Sequence, residues 1–288
     1  MPTKLSRYAE GIMEAAWLAA VIVVPVFFNV YSSRIFEPDK ITLLRTLALV
    51  ILAAWVVKLI EQGGVRWERI PRQGGGLRGS LQALLRIPLI APVAALASIY
   101  IFSTLFSVTP YASLWGSYQR LQGTYTTLSY LVIFAAMAAN LRSRPQVERL
   151  VGAMILASLP VSLYGVLQRF GADPIPWGGD VTARIASNMG NSIFVAAYLI
   201  MVFPLTLMRV VDSFEALINE SSANGQDAGN NAPNFVRATI YVFILPLQAV
   251  ALYFSGSRGP WLGWNAGLVL LWLGLSLIWR QRAMTWRG

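Results

Sequence analysis

The stretch RATIYVFILPLQAVALYFSGSRGPWLGWNAGLVLLWLGLSLIW, residues 237–279, decides the fold. Two apolar runs, 237–256 and 261–279, stand on either side of Ser257, Arg258, Gly259 and Pro260. Each run has about the 20 residues that carry a helix across a hydrocarbon core of roughly 30 Å. Both are too long and too continuous for barrel strands, which alternate over about 10 residues. Runs of the same kind recur at roughly 13–32, 41–60, 87–108, 125–141, 150–167 and 191–211. The chain therefore reads as an all-α, polytopic integral membrane bundle of about eight transmembrane helices, a single transmembrane domain over 1–288.

Composition agrees. Of the 288 residues, 56% are hydrophobic and 12% charged, with a mean hydropathy of +0.56. A soluble domain carries about 25% charge. The chain has no cysteine and no histidine. Disulfides and thiolate metal sites are thereby excluded, and the commonest general base near neutral pH is missing. No metal and no cofactor are expected. No cleavable signal peptide is evident, and the first apolar run is long enough to remain as an anchor.

The net charge is +10. In a soluble protein that excess would suggest nucleic acid. Here the basic residues sit in short loops between apolar runs, so no nucleic-acid partner is expected. Sixteen of the 23 basic residues fall on one side if the N-terminus lies on that side and eight runs cross. That side is expected to be cytoplasmic. The segment GGVRWERIPRQGGGLRGS, Gly63–Ser80, is placed on the anionic inner leaflet. The polar segment around NESSANGQDAGNNAPN reads as a flexible cytoplasmic loop over about 213–236. Prolines fall within runs at Pro160, Pro204 and Pro246, where they kink helices.

The other seven basic residues, Arg34, Lys40, Arg45, Arg120, Arg169, Arg184 and Arg258, are not explained by that bias. Three outward loops place arginines beside glycines and aromatics. They are SLWGSYQRLQGTYTTLSY (Ser113–Tyr130), QRFGADPIPWGGDVTARIASNMGNSIFVAAYL (Gln168–Leu199) and YFSGSRGPWLGW (Tyr253–Trp264). Trp115, Tyr118, Tyr125, Trp177 and Trp261 suit an interfacial aromatic belt. Arg120 and Arg169 suit lipid headgroups or a solvated loop as well as a substrate. Arg184 and Arg258 lie at the ends of runs, where they can turn inward. A guanidinium is always charged and offers a planar fork of donors to phosphate oxygens. An outward arginine cluster at membrane depth therefore fits a lipid-linked phosphate or diphosphate. Asn188, Asn191 and Ser192 precede a run and can cap its helix, whose free N–H groups also favour anions. Gly256 and Gly259 leave room for phosphates beside Arg258 and allow a tight turn between the two runs.

Three blocks, in this order, resemble the O-antigen ligase and polymerase superfamily of bacterial envelope enzymes. They are WGSYQRLQGTYT (115–126), RIASNMGNSIFVAAYLIMVFPL (184–205) and SGSRGPWLG (255–263). The resemblance covers roughly 110–265. It implies a multi-pass protein of the bacterial inner membrane that takes a glycan from an undecaprenyl diphosphate carrier. The acceptor would be a glycan, lipid or protein. It further implies that Arg258 and Arg184 are the catalytic arginines at the diphosphate, with Arg120 a weaker match; Arg169, Asn188, Asn191 and Ser257 join Arg120 as expected substrate contacts on their residue types and positions. The family's large second outer loop, with its functional histidine, is absent, so the chain resembles an N-terminal portion of the family. The outward carboxylates available as a base are Glu37, Asp39, Asp173 and Asp180. A transporter or flippase for an anionic or lipid-linked substrate, or a non-catalytic accessory subunit, are the alternatives.

Overall fold

The computed structural model describes residues 3–62, 89–175, 179–223 and 232–285. Within them the regular structure is helical: α1 (Lys4–Val26), α2 (Glu37–Gln62), α3 (Ile90–Leu105), α4 (Pro110–Trp115), α5 (Thr124–Asn140), α6 (Arg144–Arg169), α7 (Ser192–Ala223), α8 (Ala232–Phe254) and α9 (Arg258–Thr285). A short 3₁₀ turn, Ser187–Met189, precedes α7. Each of the eight apolar runs falls on a helix. Among the described residues, five helices are long and apolar enough to cross a membrane: α1, α2, α6, α7 and α8. At most 39% of the residues in any of their apolar windows are buried inside the protein. Apolar side chains that face outward in such numbers need a non-aqueous surrounding. The chain is a helical membrane protein.

Helix ends depart from the expected runs for local reasons. α1 begins nine residues before 13 because Thr3 caps it, its Oγ1 accepting from Ser6 N at 3.2 Å. It stops at Val26, where Phe27 turns to extended backbone after Pro25. α3, with 16 residues, is about 24 Å long and shorter than the core thickness. The segment 213–236, expected as a flexible loop, is helical to Ala223 and again from Ala232. The good helix formers Glu215, Ala216 and Leu217 carry α7 onward. Residues 224–231, the Gly- and Arg-rich segment 63–80 and Trp177 lie outside the described residues.

The chain forms two compact units, Met1–Ala153 and Met154–Gly288. The boundary falls within α6, and each unit gathers its own core. In the first, Met13, Ala16 and Trp17 of α1 pack on Ile51 and Ala54 of α2 and Ala136 of α5. Small residues let membrane helices approach closely. One end of this unit is tied by polar contacts. Lys58 Nζ lies 2.6 Å from Glu10 Oε1 and donates to Asn140 Oδ1 at 2.7 Å. Arg149 pairs with Glu14 at 2.5 Å. At the other end, Arg45 of α2 donates to the chain that joins α4 to α5, with Nη2 reaching Trp115 O and Leu121 O.

In the second unit, α7 packs along α8, with Val195, Leu199, Ile244 and Leu252 fully or nearly fully buried. Ser158 of α6, Thr206 of α7 and Gln248 of α8 form a buried polar seam. Gln248 Nε2 donates to Ser158 Oγ at 2.7 Å and to Thr206 Oγ1 at 2.9 Å. Each of these residues lies two positions from a mid-helix proline: Pro160, Pro204 or Pro246.

Candidate functional site

The segment between α8 and α9 is folded by its small residues. α8 ends as Ser255 N donates to Ala251 O at 3.0 Å. Gly256 then takes φ +58°, a left-handed conformation that glycine adopts at least cost. Ser257 precedes α9, and its carbonyl accepts from Trp261 N at 3.1 Å. Pro260 stands in the first turn of α9, where a missing N–H costs nothing. Trp261 Nε1 donates back to Leu252 O at 3.2 Å, fixing the start of α9 against the end of α8.

A second strand of chain, 183–191, lies against this turn. Ile185 N donates to Phe254 O at 3.3 Å. Arg184 crosses directly over Gly256, where a Cβ would sit 3.4 Å from its Cγ and Nε. Its Nε donates to Ser255 O at 3.2 Å and its Nη2 to Ser257 Oγ at 3.3 Å. Gln168, with no exposed surface, holds the segment from behind. Its Oε1 accepts from Ala186 N at 3.0 Å and Ser187 N at 2.6 Å. Ile185 fills the notch at Gly165, where a Cβ would come within 2.6 Å of its Cδ1.

These pieces line an open cavity of about 570 Å³, a size that suits a small ligand. Arg169, Ser257 and Arg258 form its polar side, and Tyr253, Phe254, Trp261 and Leu262 form its apolar side. Asn265 lies two turns along α9 from Arg258. Its Nδ2 is used by Trp261 O at 2.9 Å. No carboxylate is among the lining residues. Arg169 stacks on Phe254, with 5.3 Å from the guanidinium carbon to the ring centroid, and its Nη1 donates to Thr182 O. Arg258 is exposed, and no described residue hydrogen-bonds or pairs with its guanidinium. The start of α9 adds free N–H groups and the positive end of its dipole. The cavity thus sets two guanidinium groups against an aromatic and aliphatic wall.

The expected site residues separate accordingly. Arg258, Arg169 and Ser257 line one cavity, and Arg184 is bonded to the Ser257 wall. Asn191 caps α7 instead, its Oδ1 accepting from Ile193 N at 2.9 Å. Asn188 is buried, and its Oδ1 accepts from Ser187 Oγ at 3.0 Å. Arg120 belongs to the first unit, 3.8 Å from Glu37. The candidate bases are all engaged elsewhere. Asp39 accepts from Asn29 at 2.7 Å, and Asp173 from Tyr164 at 2.8 Å and Gln168 at 3.0 Å. Asp180 caps its own turn, accepting from the hydroxyl and N–H of Thr182 and the N–H of Ala183. The Thr182 hydroxyl above all, then these N–H groups, hold its carboxyl below the usual carboxylate range, which weakens it as a base. Gln168 and Arg45 were missed as organising residues. The available signal was a strongly polar side chain in or beside an apolar run.

No family model matches the chain, and no curated protein or solved structure matches it either.

Proposed function

We propose that the chain is an eight-span, N-in bundle of the bacterial inner membrane that binds an undecaprenyl-diphosphate-linked saccharide, as a glycan transferase module of the O-antigen ligase and polymerase kind. One observation carries the reading. Arg169 and Arg258 share an apolar-walled cavity that has no lining carboxylate, and Arg184 is bonded to its Ser257 wall. The arginines take the diphosphate, whose charge grows as an acceptor hydroxyl attacks the anomeric carbon, that carbon's bond to the diphosphate oxygen breaks, undecaprenyl diphosphate leaves and the hydroxyl proton passes to water. The Tyr253, Trp261 and Leu262 wall takes the adjoining isoprenoid. The two lining arginines match the two charges of a diphosphate diester, and Arg184 holds the Ser257 wall from outside the cavity.

Substitution of Arg258 by lysine keeps the charge and loses the bidentate fork. Binding of an undecaprenyl diphosphate saccharide to the chain in nanodiscs should weaken at least tenfold in R258K and further in R258M. Equal binding by R258K and the unmodified chain sinks the reading. The three proline-bearing helices that meet at the Ser158–Thr206–Gln248 seam favour transport as the second reading. Uptake of the same ligand into sealed vesicles without glycan transfer would select it.

A further inference from the structure

The first unit holds an arginine whose charge the fold leaves uncancelled. Arg45 lies eight residues into α2, about 12 Å along the axis, and only 7% of its surface is exposed. Its Nε donates to Thr126 Oγ1 at 2.9 Å. Its Nη2 donates to Trp115 O at 2.8 Å and Leu121 O at 2.6 Å. The guanidinium carbon lies 4.7 Å from the Tyr125 ring centroid and 5.8 Å from that of Trp115. These are dipoles and ring faces, and none carries a charge. No carboxylate among the described residues pairs with it. Its remaining nitrogen, Nη1, has no partner among the described residues and is not sealed from the surface.

Pinning the chain at 115–126 uses Nε and Nη2 alone. Nη1 is left with two N–H donors on a guanidinium whose delocalised charge has no carboxylate beside it among the described residues, and a largely buried charge without a counter-ion is expensive. We propose that Nη1 of Arg45 is the base of an anion site in the first unit that takes one phosphate group, from a lipid headgroup or from a free phosphate. A guanidinium edge matches phosphate oxygens, and phosphates are the anions that membranes present at headgroup depth. The site is separate from the Arg258 cavity in residues and in unit.

Native mass spectrometry of the full chain in neutral detergent reads the site directly, with phosphatidylglycerol as probe and phosphatidylcholine as control. One phosphatidylglycerol should be retained per chain, at least tenfold more weakly in R45K, and undiminished in R258M. Equal retention by R45K overturns the proposal, as does loss in R258M alone, which would assign the lipid to the other cavity. Displacement by millimolar pyrophosphate marks a soluble phosphate as the occupant, and resistance to it marks the headgroup. R45K loses loop contacts as well and can fail to fold. The second measurement therefore uses the unmodified chain with ¹⁵N-labelled arginine. The Arg45 Nη resonance should move on addition of phosphatidylglycerol, and a resonance that stays fixed overturns the site.

Discussion

At the scale of single residues, the fold spends its polar groups on local geometry before it offers any to a ligand. Asp180 illustrates this. Three donors stabilise its anion, so its proton affinity is lower in the folded chain than in the unfolded one. A group depressed in this way lends stability that is complete above its unfolded pKa, about 3.9, and is lost as pH falls through the lower folded value. Hydrogen exchange at Thr182 and Ala183 should therefore be level from neutral pH down to about 4, after correction for the intrinsic rate, and should accelerate only below that. Acceleration between pH 6 and 5 would contradict the assignment. Asn188 and Asn191 follow the same logic. Their residue types suited a ligand, yet their amide oxygens are satisfied within three residues. Sequence cannot distinguish the two uses, because capping and binding select the same donors and acceptors. Arg258 was legible because no neighbour in the turn competes for it.

Among elements, the segment 183–191 is the least regular part of the second unit, and one side chain supports it. Gln168 Oε1 supplies the acceptor that two consecutive backbone N–H groups would otherwise find in a helix. Replacing Gln168 by leucine leaves both donors unsatisfied, at about 1–3 kcal/mol for the buried Ser187 N–H and less for the part-buried Ala186 N–H. Gln168→Leu should lower the thermal midpoint in detergent and speed exchange at Ala186 and Ser187. Gln168→Glu keeps the acceptor but faces Asp173, so it should recover part of the loss at low pH alone. Recovery at every pH would show that the Asp173 contact contributes nothing. The apolar runs revealed these helices well because a membrane helix needs little more than length and hydrophobicity. Their ends were harder to read. Thr3 adds the polar turn Lys4–Glu10 to α1, and a capping hydroxyl leaves no trace in a hydropathy pattern.

At the scale of the whole molecule, orientation rests on the basic residues, since the packing of helices is the same whichever way the bundle faces. The excess of lysine and arginine at one set of loops predicts an N-in arrangement. The chain has no cysteine, so a single introduced one reports its own side. Gln73→Cys and Asp227→Cys should react with impermeant maleimide only after the cells are opened. Labelling of either in intact cells would reverse the orientation. The division into two units was not legible in the sequence. The boundary lies inside α6, an unbroken helix, and composition does not change across it.

The partners of Arg45 have a consequence for biogenesis. They lie 70, 76 and 81 residues further along the chain. During synthesis at about 5–20 residues per second, α2 leaves the ribosome some 4–16 s before the last of them exists. For that interval the cation lacks the carbonyls, hydroxyl and rings that hold it in the folded chain. α2 must wait near the headgroups, or within the insertion machinery, until α5 arrives. Its settling at full depth is therefore a post-insertion event, timed by the appearance of Thr126.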